Sequence, residues 1–170
     1  MSTSICPGCG LVLPMRADAP TAARHHASPE CLALLGEVSA REIEHAAILA
    51  QSHQMTVDAY GAQHVGPEAP RIGAAFALIG LCLAIEHGHT GFEVRDAHAY
   101  LARRRRAWPS FTPPSGVWPQ TVADVAATTE PEAHAVAVAA WGGAVWERWS
   151  ADHGRVRAMV DELLRGWRPR

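Results

Sequence analysis

TEPEAHAVAVAAWGGAVWERW, residues 129–149, is the stretch on which the fold reading turns. Thr129-x-x-Glu132 with Pro131 inside it is a helix start: the side chains can bond free amide groups, and proline suits the first turn. Beyond it, His134, Val138, Trp141, Val145 and Trp149 follow at steps of 4, 3, 4 and 4. Those steps bring all five to one face of a single helix. A face with Trp141 and Trp149 on it reads as packing rather than as a ligand cage. A long helix with so bulky an apolar face needs other helices to cover it, which predicts a helical bundle.

Working outward, the same punctuation recurs. Upstream, Thr121–Ala127 reads as a short helix, and 108–119 as a connecting loop broken by Pro109, Pro113, Pro114, Gly116 and Pro119. Phe92–Ala107 reads as a helix ending in Arg103-Arg104-Arg105-Arg106, and Gly88-His89-Thr90-Gly91 as the turn before it. Pro70–His87 is apolar on most sides and reads as a buried helix, with Cys82 a small core residue. Gly66-Pro67 stops the helical stretch His53–His64. Ser28-Pro29 starts a helix that runs to about Gln51, and a second capping box, Ser39-x-x-Glu42, allows a break near 36–39. Downstream, Ala151–Arg165 forms the last helix, ended by Gly166 and Pro169. No alternating strand pattern or repeat appears. The expectation is an all-α helical bundle in one domain, 1–170, with an irregular segment at 1–31.

That segment carries the chemistry. In Cys6-Pro7-Gly8-Cys9 the turn residues between two thiols let both sulfurs reach one ion. Cys31 supplies a third sulfur from the first turn of its helix, where amide groups and the helix dipole favour a thiolate. A tetrahedral Zn2+ site needs one more ligand. His26 is the expected one; His25 is as near and His53 more distant. Free thiols and a redox dithiol are the competing readings. A thioredoxin-like CxxC would open a long helix, which Gly10 to Pro14 cannot hold.

The totals bound the rest. The chain has 170 residues, 15 Lys+Arg against 17 Asp+Glu, and ten His. A net charge of -2 gives no general pull toward nucleic acid or anionic lipid, so a nucleic-acid partner is not expected. The Arg103–Arg106 run reads as a solvated helix end. The longest apolar stretch, Ile72–Ile85, is too short to span a bilayer, and Met1–Ile5 lack a secretory pattern. A cytoplasmic location is the expectation, and reduced thiols there favour metal ligation over a disulfide.

A histidine-rich core remains: His53-x-x-Thr56-Val57-Asp58-Ala59-Tyr60-x-x-Gln63-His64. Together with Cys-Pro-Gly-Cys-Gly at 6–10, Ser28-Pro29-x-Cys31, Thr121-Val122-x-Asp124-Val125 and the tryptophans of 141–149, it resembles a bacterial family of unknown function across most of the chain. The resemblance implies no established activity. On one straight helix His53 and His64 lie about 16 Å apart, so they cannot share an ion. Asp58 points elsewhere and is expected to pair with an arginine such as Arg41 or Arg71. A buried Tyr-His-Asp network that fixes packing is one reading. A pocket of His53, Asp58, Tyr60 and His64 doing general acid–base work, with His134 or His153 from other helices and a small-molecule ligand, is the other. No G-x-S-x-G, H-E-x-x-H or phosphate loop is present. Three functions remain open: a small metal-dependent or metal-stabilised enzyme, a zinc-stabilised module binding protein or nucleic acid, and a thiol redox switch.

Overall fold

A computed structural model describes residues 2–20, 25–67, 70–104 and 106–169. The described residues form a hairpin, β1 (Thr3–Ile5) and β2 (Val12–Pro14), and seven helices. These are α1 (Pro29–Glu44), α2 (Ala46–Gln63), α3 (Arg71–Glu86), α4 (Gly91–Ala102), α5 (Val122–Ala126), α6 (Pro131–Arg148) and α7 (His153–Leu163). The all-α bundle is thus as expected. The hairpin is a correction to an irregular start: Thr3 faces Pro14 and Ile5 faces Val12 in an antiparallel pair. Strands of three residues are too short to display a period of two.

α2 is the axis of the bundle and packs against α1, α3, α4 and α6. Almost every residue of α3 from Ala74 to Leu83 is buried, and α7 closes over it. The α6 face is buried as its spacing demands: His134, Val138, Trp141, Val145 and Trp149 are all inside. The indole N–H groups find partners. Trp141 donates to Gln63 Oε1 at 3.3 Å, and Trp149 to the Ala62 carbonyl at 3.2 Å. The second bond satisfies a carbonyl in the last turn of α2, which has no partner within the helix.

Ser28 caps α1 by accepting the Cys31 N–H at 3.2 Å. The helix then runs unbroken through Gly36 and Ser39, and the break comes at His45, whose backbone is extended (φ -118, ψ 100). The second capping box does not form because core donors hold the Glu42 carboxyl. At the start of α6, Glu130 takes the cap position expected of Thr129. α4 ends at Ala102, short of the basic run. Arg104 turns back onto Tyr100, and Arg106 lies over the Trp108 ring and 3.7 Å from Glu162. Arg105 lies outside the described residues. Residues 106–120 carry no helix or strand, yet Phe111 and Trp118 are buried against the bundle. No helix among the described residues is long and apolar enough to cross a membrane.

Candidate metal centre

The hairpin turn builds half of the site. The Cys6 N–H donates to the Leu11 carbonyl and the Gly10 N–H to the Cys6 carbonyl, both at 2.8 Å. Gly10 takes φ +79, a left-handed conformation that glycine adopts without strain. Gly8 is equally constrained: a Cβ there would lie 2.3 Å from the His26 carbonyl oxygen and 2.6 Å from His64 Cδ2. Only a residue without a side chain lets the turn close over His64. Trp118 Nε1 donates to the Gly8 carbonyl at 2.9 Å and ties the proline-rich loop to the same turn.

The helices supply the other half. Cys31 stands in the first turn of α1, its sulfur 3.8 Å from that of Cys9. His64 stands where α2 ends, and its Nε2 is 3.5 Å from Cys31 Sγ. Its Nδ1–H donates to the Tyr60 carbonyl at 2.9 Å, which leaves the Nε2 lone pair facing the sulfurs. The ligand atoms of Cys6, Cys9, Cys31 and His64 all lie within 4.8 Å of one another, and all four residues are buried. Tyr60 completes the wall: its ring stacks on His64 at 3.9 Å and its hydroxyl donates to Cys31 Sγ at 3.6 Å.

Three thiols this close cannot ionise independently. Hydrogen bonds from Cys31 and then Cys9 hold the Cys6 sulfur far below the usual thiol range. Hydrogen bonding to Cys6 and Cys9, followed by burial, pushes Cys31 far above it. One sulfur becomes a thiolate by keeping a neighbour protonated; only a cation among them would let all three ionise. Three sulfurs and an imidazole nitrogen, with no water-facing position, form a set that could hold a metal ion.

The structure therefore brings the three expected cysteines together and adds His64 rather than His26. The His26 N–H donates to the His64 carbonyl at 3.0 Å, but its side chain is exposed and lies against Gly66. His25 sits edge-on to Tyr60 at 5.2 Å. The four residues read as one pocket fall into three places. Tyr60 and His64 belong to the sulfur cluster. His53, eleven residues before His64 on the same helix, bonds Glu42 through Nδ1 at 2.8 Å. Asp58 meets no arginine among the described residues, contrary to expectation: it accepts from Gln54 Nε2 at 3.1 Å on both oxygens. Arg41 instead donates to the carbonyls of Ala126 and Thr128. His153 lies flat on Trp146, at 3.9 Å, away from all three.

Glu42 is the residue that sequence reasoning missed. Its fully buried carboxyl accepts from Thr56 at 2.5 Å, His134 at 2.9 Å and His53 at 2.8 Å. The signal was available: Glu42 follows Cys31 and Val38 at the 7- and 4-residue steps of the buried stripe of α1.

A model of a protein family described as of unknown function (DUF5946) matches residues 4–150. No curated protein and no solved structure matches the chain.

Proposed function

The chain belongs to DUF5946, a family of unknown function, and we propose that it is a zinc-stabilised helical protein in which Cys6, Cys9, Cys31 and His64 hold one Zn2+ in a structural role. A tetrahedral zinc with bonds of ~2.3 Å to sulfur and ~2.05 Å to nitrogen separates two sulfurs by about 3.8 Å and a sulfur from the nitrogen by about 3.5 Å. Cys9 to Cys31 is 3.8 Å and Cys31 to His64 is 3.5 Å. That agreement carries the reading. Three thiolates and one imidazole suit zinc over hard, oxygen-seeking cations.

Four protein ligands close a tetrahedron and leave no position for a substrate or an activated water, which favours a structural ion over a catalytic one. The ion would fasten three separate pieces: the hairpin through Cys6 and Cys9, α1 through Cys31, and the end of α2 through His64. Tyr60 would serve as a supporting residue that donates to a ligand sulfur and packs its partner imidazole. Elemental analysis of the purified protein tests this. One zinc per wild-type chain is expected, with none in Cys31→Ser and less than half occupancy in His64→Ala. A wild type without zinc, or a His64→Ala protein that keeps a full complement, overturns it.

A further inference from the structure

Two cavities meet at one carboxyl group that the sulfur cluster does not use. The larger, about 450 Å³, lies between α2, the end of α3 and the start of α4. Ala50, Met55, Ala84, Phe92 and Val94 give it apolar walls. The smaller, about 260 Å³, lies between α2, α3 and α4. Asp58 and Gln54 line both. The fold makes room for the acid: a Cβ on Gly80 would lie 2.0 Å from Asp58 Oδ2, so α3 has a gap where the carboxyl sits.

The polar groups here are unbalanced. Both Asp58 oxygens accept from the one Gln54 NH2 group, and no Lys or Arg lines either cavity among the described residues. His98 on α4 donates from Nε2 to the Phe76 carbonyl at 3.0 Å, so its Nδ1 is an acceptor too, 3.4 Å from the same Gln54 nitrogen. Burial holds His98 neutral, down to about 4. Burial likewise pushes Asp58 well above the usual carboxylate range. Its proton then finds no acceptor: Gln54 offers N–H to both oxygens, and turning that amide would set its oxygen against the His98 lone pair. An acceptor-rich, donor-poor floor under apolar walls lacks a positively charged donor.

We propose that these adjoining cavities bind a small organic ammonium ion, its N–H groups on the Asp58 carboxyl and its apolar substituent between α2 and α4. The binding step balances as an ammonium ion plus the Asp58 carboxylic acid giving an ammonium–carboxylate pair plus one proton released to solvent. An anion is disfavoured because no cationic side chain lines either cavity among the described residues. An uncharged ligand would leave the buried carboxyl protonated and form no ion pair with it. The other titratable groups around the cavities are histidines: His98 from α4, His89 before it, His25 ahead of α1 and His64 at the end of α2. His64 forms part of the wall of the smaller cavity as well as of the sulfur cluster, but the ammonium contacts proposed here do not use it, and zinc content reports on the metal reading independently.

The test uses hexylammonium, with 1-hexanol and hexanoate as uncharged and anionic probes of the same length. Isothermal titration of the full chain, in two buffers of different ionisation enthalpy, reads affinity and proton release together. Hexylammonium should bind at least about tenfold more tightly than hexanol, and hexanoate should not bind. One proton should leave per ligand, and affinity should rise with pH by up to about tenfold per unit while Asp58 remains protonated in the free protein. Asp58→Asn should weaken hexylammonium at least about tenfold, and Ala50→Phe, which fills the larger cavity from its wall, should abolish binding with the carboxyl intact. Equal binding of hexanol, no proton release, or undiminished binding by Asp58→Asn overturns the proposal. So does the failure of hexylammonium to bind a folded wild type at millimolar concentration.

Discussion

α2 adjoins two buried polar clusters, one at its middle and one at its last turn, and the two are opposites in composition. Against its middle, Glu42 of α1 is met by a hydroxyl and two imidazoles, so both oxygens of the carboxyl accept from the chain itself. At its last turn, three sulfurs face the lone pair of His64, and the donors are few: one tyrosine hydroxyl and the protons the thiols share. The Glu42 carboxyl is satisfied by donors of the chain itself, although the far ring nitrogen of His134, Nδ1, is buried without a partner among the described residues. The second gathers ligands whose mutual repulsion only a cation relieves. Both carboxyl and sulfurs are buried, with only the His53 ring of the first cluster partly exposed, so burial alone does not tell them apart. The count of donors against acceptors does.

That contrast is broken most directly by taking away a cation. With a strong chelator at pH 7 the wild type should lose more than about 5 kcal/mol and at least about 10 °C in Tm. Amide exchange should rise first in residues 3–14, which hold two of the four cluster residues and otherwise reach the bundle through the Ser4–Glu30 and Trp118–Gly8 bonds and Leu11 and Leu13, while α1 near Glu42 stays protected. Uniform exchange, or an unchanged Tm, would make the two clusters alike. Next in size is Glu42→Ala. It strands His134 and Thr56 in the core and should cost about 3–5 kcal/mol, read by chemical denaturation, with zinc content unchanged. Loss of zinc from that variant would mean the clusters are coupled along α2.

Between them stands Asp58, a carboxyl with one amide where Glu42 has three donors. Its folded-state pKa is raised by burial, so between the ordinary value of 3.8 and that raised value the folded chain binds more protons than the unfolded one. Stability therefore falls as pH rises through this window. His98 acts in reverse: held down to about 4, it is neutral in the folded chain while the unfolded imidazole titrates near 6.5. Its contribution to stability is complete above 6.5 and lost as pH falls toward 4. The two slopes oppose each other from pH 4 to 6.5. Asp58→Asn should remove one of them: a Tm gain of about 2–4 °C at pH 8, shrinking toward zero near pH 4, with a steeper rise from 4 to 6.5. A gain that is constant with pH would show that Asp58 does not titrate above its ordinary range.

Local rules were legible in the sequence, and long-range meetings were not. Ser28, Pro29 and the α6 face could be read because each depends on neighbours within four residues. The Cys6, Cys9 and Cys31 set could be read from residue type and spacing. The fourth member of the cluster could not. His26 is five residues from Cys31 and His64 is 33 residues from it, and only the return of α2 across the bundle reverses that order of distance. Glu42 was hidden for a related reason, since its local pattern spells a capping box while its partners come from α2 and α6. The straight-helix argument that separates His53 from His64 needed only the rise per residue, and the two do serve different clusters.

The smallest effect tests the finest part of the contrast. His26 and His64 are joined by a main-chain hydrogen bond of 3.0 Å, so both belong to the backbone of the site. Only the His64 ring points at the sulfurs; that of His26 is exposed. His26→Ala keeps the main-chain N–H and removes only an exposed ring beside Gly66. It should therefore change stability by less than about 0.5 kcal/mol and leave the metal in place. Thermal denaturation with and without chelator reads both at once. A His26→Ala protein that behaves in buffer as the wild type does in chelator would transfer the fourth ligand to the exposed imidazole. The site would then face water on one side, with an open route to a ligand bond, and the closed tetrahedron that separates a structural ion from a reactive one would be gone.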